Sequence, residues 1–187
     1  LRKIEKKIKF LEETQKRIPN SEMVAIELIK SFIEAKMPDE AYNFIEQVIS
    51  EEPFSSSLQI HLYLALINEQ KVPFDESSYD FLNECIKKFP NYFQFYILLA
   101  DHSEESQNVL KAGIDNCPSS GDIHIAYIRQ ILSMKLLPSV RIRALFEKAR
   151  RLCSDQALVW LLSAEFERPE MRETMLEEAK RHVCKEE

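Results

Sequence analysis

The stretch Arg143-Ala144-Leu145-Phe146-Glu147-Lys148-Ala149-Arg150-Arg151-Leu152 decides the fold, together with Ser154-Asp155-Gln156-Ala157-Leu158-Val159-Trp160-Leu161-Leu162-Ser163-Ala164-Glu165-Phe166-Glu167 just beyond it. Its first half runs from a large apolar residue, Phe146, across two polar ones to the small Ala149, which sets a bulky and a slim side chain near one another on a single helix face. The second half opens on Ser154-Asp155, whose oxygens suit the unpaired amides of a first helical turn. It then carries apolar residues at three- and four-residue steps through Leu158, Leu161, Leu162 and Phe166. The reading is a helix, a tight turn and a second, amphipathic helix with that leucine stripe as its apolar face.

Working outward, the Phe-x-x-Ala pattern returns. Copies stand at Ile45-Glu46-Gln47-Val48, Leu82-Asn83-Glu84-Cys85, Leu110-Lys111-Ala112-Gly113 and Leu176-Glu177-Glu178-Ala179, with Ala112 breaking the two-polar rule. Successive copies lie 37, 28, 36 and 30 residues apart, close to the length of one helical hairpin in an α-solenoid, about 33–34 residues. A small residue at the fourth position lets a neighbouring backbone approach. In such an array each hairpin hides its apolar stripe against the next one rather than in one central core.

Prolines punctuate the same pattern at positions 19, 38, 53, 73, 90, 118, 138 and 169, and most have helix-starting Ser, Asp, Asn or Glu beside them. The stretches between them carry helical spacing, as in Val24, Leu28, Ile29, Phe32 and Ile33, or Leu58, Leu62 and Leu66. With only two glycines in 187 residues, folds and motifs that depend on positive φ angles, such as hairpin-rich sandwiches and phosphate loops, are disfavoured. The fold class is therefore all-α: a right-handed α-solenoid of about five helical hairpins and an N-terminal helix, eleven helices in all, forming one domain over 1–187. Residues 1–17 are expected to cap the stack or to end a preceding repeat, with Phe10 and Leu11 as the buried side. The loop around Lys71–Asp75, with Pro73, is the expected place for a bend. The first residue is Leu1 rather than methionine, so a fragment of a larger protein is expected. The longest apolar runs, such as Ala157–Leu162, are about six residues, where a membrane span needs around 20; no membrane partner is expected.

The stretch from Arg143 to Glu167 resembles the half-a-tetratricopeptide (HAT) repeat, a relative of the tetratricopeptide repeat (TPR). Phe146-Glu147-Lys148-Ala149 falls on that family's aromatic-Glu-Arg/Lys-Ala segment, and Trp160, Ala164, Phe166 and Glu167 fall on the positions of its next helix, with Ser163 replacing the usual tyrosine. Tyr96 with Leu99-Ala100-Asp101 is a weaker copy. The resemblance implies a scaffold in RNA-processing machinery (splicing, 3′-end processing or ribosomal RNA maturation), located in the nucleus or nucleolus. It also implies protein subunits as partners and no catalysis of its own.

Candidate partner-binding residues are the aromatics beyond what a core strictly needs, Tyr63, Tyr92, Phe93, Phe95, Tyr96 and Tyr127, and the basic run Arg141, Arg143, Arg150 and Arg151. Residues 1–17 carry seven basic and three acidic side chains, and 141–151 carry five and one, so each segment stands at +4 within a chain of net charge −6. The remaining −14 repels a nucleic-acid backbone, which makes any RNA contact indirect or weak. An uncovered apolar end face with Met171, Met175 and Val183 would pair two copies as a homodimer.

The residues that usually carry chemistry form no familiar set. Cys85, Cys117, Cys153 and Cys184 are spaced by 32, 36 and 31 residues, in step with the repeat and without a Cys-x-x-Cys pair, so they read as buried structural thiols. His61, His102, His124 and His182 stand far apart, and no nucleophile turn occurs. No enzyme, cofactor or metal is expected. Two other readings use the same fold: a tetratricopeptide-like adaptor in cytosolic chaperone or trafficking complexes, and a helical repeat that binds RNA directly.

Overall fold

The computed structural model describes residues 2–69, 74–135 and 138–183. Among them are eleven α-helices, a single 3-10 turn at Phe54–Ser56 and no strand. The helices are α1 (Arg2–Arg17), α2 (Glu22–Glu34), α3 (Pro38–Val48), α4 (Leu58–Glu69), α5 (Glu76–Lys88), α6 (Phe93–His102), α7 (Ser106–Asn116), α8 (Gly121–Met134), α9 (Ser139–Leu152), α10 (Ala157–Phe166) and α11 (Pro169–Val183). Taken in pairs from α2 they make five hairpins after an N-terminal helix, which is the helical-repeat class read from the periodicity. The chain forms two compact units, Leu1–Cys85 and Ile86–Glu187. Of the bend expected at Lys71–Asp75, residues Lys71 to Pro73 lie outside the described residues.

In the first unit, helix starts follow the capping chemistry of the sequence. Ser21 accepts from the Val24 amide and Asp75 from the Ser78 amide, while Pro38 occupies the first turn of α3, where its missing N–H is no loss. Helix α2 ends in a left-handed cap at Lys36, φ 60°: the Lys36 amide donates to Ile33 O and the Met37 amide to Phe32 O. The core gathers Ile8, Ala25, Leu28, Ile29, Ala41, Ile45, Phe54 and Ile60. His61 and Phe81 stack with centroids 6.1 Å apart and join α4 to α5.

Two expectations for this unit need correction. The stripe of α1 that packs on the core is Ile4, Ile8 and Leu11, which turns Phe10 to solvent at 67% exposure; Phe10 lies two residues, roughly 200° of helix rotation, from Ile8. On α4 the buried residues are Ile60, Leu64 and Ile67, while Leu66 of the expected Leu58-Leu62-Leu66 stripe is 37% exposed.

In the second unit, the start of each first helix is tied down by its fourth residue, about one turn in. Tyr96 Oη donates to Pro90 O at 2.9 Å, His124 Nε2 to Pro118 O at 3.0 Å and Trp160 Nε1 to Ser154 O at 2.9 Å, each six residues back. Three different residue types thus solve one problem, the orphan carbonyl in the turn before a helix. Gly113 meets the expectation for a small residue at the fourth repeat position, because a Cβ there would lie 2.9 Å from Ile123 Cδ1 and 3.0 Å from Tyr96 Cβ. Successive hairpins are also cross-linked by Gln156, the N-cap residue of α10. Its Oε1 accepts from the Gly121 amide at 2.6 Å and its Nε2 donates to Ser119 O at 2.9 Å.

Candidate protein-binding surface

Four residues of the HAT-like signature, Phe146, Ala149, Trp160 and Ala164, are buried, while Phe166 and Glu167 are half-buried and Glu147 and Lys148 exposed. Around Trp160 the structure builds a clamp that the repeat signature alone does not spell out. The Arg150 guanidinium lies over the indole, 5.6 Å from its centroid, donates to Ser163 Oγ and lies 3.6 Å from Met175 Sδ. His182 stacks on the indole at 5.3 Å. Beside it, Arg143 Nε pairs with both carboxylate oxygens of Glu167, at 2.9 and 3.1 Å, and its guanidinium sits 5.9 Å from the Phe166 ring. Arg143 and Arg150 therefore bind α9 to α10 and α11. Each thus has at least one guanidinium nitrogen engaged inside the unit.

The other candidates divide in the same way. Phe95 and Tyr96 are buried, Tyr96 because its hydroxyl serves Pro90, so neither is available to a partner. Tyr92 and Phe93 are half-buried at the start of α6, their rings 6.0 Å apart, and burial pushes the Tyr92 hydroxyl pKa upward. Tyr63 packs half-buried against the first unit's core, and Tyr127 against two core clusters of the second. Arg151 is exposed and pairs with Glu147 a turn earlier, while Arg141 is exposed. The homodimer set is reduced as well: Met175 is buried and Val183 packs on the Trp160 cluster, which leaves Met171 exposed.

A different surface emerges on α10. Its inward side is Val159, Trp160, Ser163 and Ala164, so Leu158 and Leu161 face outward, 45% and 50% exposed, while Leu162 packs partly buried against the core. The same face continues through Leu162, Glu165 and Phe166 into a cleft of about 220 Å³ between α8 and α10. Ile125, Ile128 and Leu132 form its other wall, Phe146 contributes from α9, and Arg129 and Glu165 supply opposite charges. A helix apolar on both sides is either fully buried or covered by something else. Half-exposed leucines leading into an apolar cleft make this face the candidate site. The signal was present in the sequence as the unbroken apolar run Ala157–Leu162, which puts apolar residues on every side of the first part of α10.

Between α7 and α9 a second hollow is lined by His124, Tyr127, Lys111, Lys148 and Asp115. Burial pushes the His124 pKa below the usual histidine range, with nearby Lys148 adding to the effect and the Pro118 bond opposing it. Among the described residues no group of three or more His, Cys, Asp or Glu side chains is placed to hold a metal ion, and no helix is long and apolar enough to cross a membrane.

Comparison with solved structures places the fold among helical-repeat proteins. The C-terminal part of a TPR repeat-containing protein from Cytophaga hutchinsonii superposes with a TM-score of 0.65 at 12% identity, over 97% of this chain and 74% of that one. The MamA protein gives a TM-score of 0.60 at 15% identity over 83% of this chain and 85% of its own. YrrB, a TPR protein with an unusual peptide-binding site, gives 0.53 at 9% identity over 94% and 93%. No protein-family model and no curated protein matches the sequence. The chain thus has the TPR-like helical-repeat fold.

Proposed function

We propose that the chain is a protein-interaction scaffold, one repeat array over 1–187, that takes an apolar segment of a protein partner on α10 and in the cleft between α8 and α10. The observation that carries this reading is the two-sided character of α10, with Trp160 and Ala164 packed inward and Leu158 and Leu161 left exposed. A bound segment would remove those leucines from water at roughly 25 cal/mol per Å² of apolar surface covered. The peptide-binding site of YrrB, a protein of the same fold, supports the reading.

The setting is a nuclear or nucleolar RNA-processing assembly. Its support is the HAT-like register of Phe146, Ala149, Trp160 and Ala164, whose burial fits the role of a repeat signature. A second reading, an adaptor outside the nucleus, is favoured by neighbours such as the TPR proteins of Cytophaga hutchinsonii and Thermus thermophilus, which are bacterial. Affinity capture from nuclear extract, with and without nuclease, separates the two. RNA-processing subunits recovered after nuclease treatment are the expected result, and recovery of chaperone or vesicle proteins alone would support the second reading instead.

A further inference from the structure

Helix α1 carries a second surface of different chemistry. Its stripe Ile4, Ile8 and Leu11 is used against the first unit's core. At 3.6 residues per turn, Arg2, Lys3, Lys6, Lys9, Lys16 and Arg17 then fall within roughly 140° on the opposite side. All six are exposed, and no ion pair engages them among the described residues, whereas Lys7 at the edge is tied to Glu27 at 3.3 Å. Amid these cations stands Phe10, 67% exposed, with Glu13 as the lone acid of the face. A face with six cations is not the buried side of a further hairpin, because desolvating unpaired lysines is far too costly.

The charge of the surrounding unit narrows what this face can take. Residues 1–17 stand at +4, while residues 18–85 hold 13 acids against three bases and stand at −10. A long polyanion or a flat anionic membrane that reached α1 would also meet that acidic remainder and be repelled. A short segment no longer than the helix, about 24 Å, would feel mainly α1. Phe10 adds a demand of its own, an apolar socket between the partner's acids.

We propose that the outer face of α1 docks an acidic amphipathic helix of a protein partner, with Phe10 seated on its apolar stripe and the flanking lysines paired to its carboxylates. The surface shares no residue with the α8 and α10 cleft and stands whether or not that cleft binds a segment. The test uses the whole chain and a fluorescein-labelled helical peptide of about 16 residues, no longer than α1, with leucine along one stripe and glutamate elsewhere, read by anisotropy. An oligouridylate of equal charge and phosphatidylserine vesicles serve as competitors. Expected are saturable peptide binding, about tenfold weakening by the pair K6E and K9E, and about fivefold weakening by F10A at constant charge. Leu162→Glu in the other cleft should leave the peptide affinity unchanged. Circular dichroism should be unaltered in the α1 variants, whose side chains lie in solvent. No peptide binding, binding indifferent to F10A, tighter binding of the RNA or vesicles than of the peptide, or salt-sensitive self-association that occupies the face would each overturn the proposal.

Discussion

The thiol of Cys153 donates to the carbonyl of Pro118, 35 residues earlier, across 3.7 Å. That carbonyl already takes the His124 bond, so the end of the α8–α9 hairpin returns to its own start at a single oxygen. One hairpin back, Cys117 and Tyr96 share Pro90 O in the same way, with the thiol again at 3.7 Å. Cys117 and Cys153 therefore pin the two helices of their own hairpins in register. Burial pushes the Cys153 thiol up to about 11, helped by the nearby acids Asp155 and Asp122, and also raises Cys117. Both should resist iodoacetamide at pH 8 in the folded protein and react only as it unfolds, as read by peptide-resolved mass spectrometry. Prompt alkylation of either in the native state would contradict the packing.

Gly113→Ala should destabilise. A helical alanine would ordinarily gain up to about 1 kcal/mol over glycine. Here the new Cβ would lie 3.0 Å from Tyr96 Cβ and 2.9 Å from the Ile123 side chain, both residues buried. Overpacking of this kind costs about 1–3 kcal/mol, so a net loss of about 1 kcal/mol is expected in urea unfolding, with the slope unchanged.

Lys36→Gly should stabilise. Lys36 is exposed, sits at φ 60° and closes the end of α2 through backbone bonds alone. Relief of the left-handed conformation is worth about 1 kcal/mol, read as a raised unfolding midpoint. The same substitution at an ordinary helical lysine would act in the opposite sense.

His124 should make stability fall on acidification. Its pKa is lowered in the fold, mainly by burial, so the unfolded chain takes up the proton first. Its contribution is complete above the ordinary histidine value of about 6.5 and is lost as pH falls from there through the folded-state pKa. Compared with the parent, His124→Gln should show a flatter stability profile over that window. An unchanged slope would mean that other groups carry the dependence.

What was legible in the sequence, and what was not, follows from how these helices are built. Phe146, Ala149, Trp160 and Ala164 could be placed inside because a bulky and a small residue must recur wherever one hairpin meets the next. The inward side of α4 and α10 could not be chosen by periodicity, since both flanks are apolar and Leu158-Leu161-Leu162 has the same spacing as Trp160-Ser163-Ala164. Phe10 was misplaced because size suggested burial, whereas Ile4, Ile8 and Leu11 form the stripe that meets the core. Arg143 and Arg150 looked like free charge because their partners, Glu167 and Trp160, come from the next helix or its end. The cleft was hidden for a related reason: its walls come from α8 and α10, residues about 35 apart in the chain.

The division of α10 into an inward and an outward side is open to direct measurement, with Trp160, the single tryptophan, as reporter. Ala164→Asp places an unpaired charge in the core and should unfold the second unit, red-shifting the Trp160 emission. Leu158→Asp with Leu161→Asp should leave emission and melting midpoint unchanged while removing the partners held by the α10 surface from those captured out of nuclear extract after nuclease treatment. Undiminished capture by the double variant, or unfolding as complete as that of Ala164→Asp, would contradict the account.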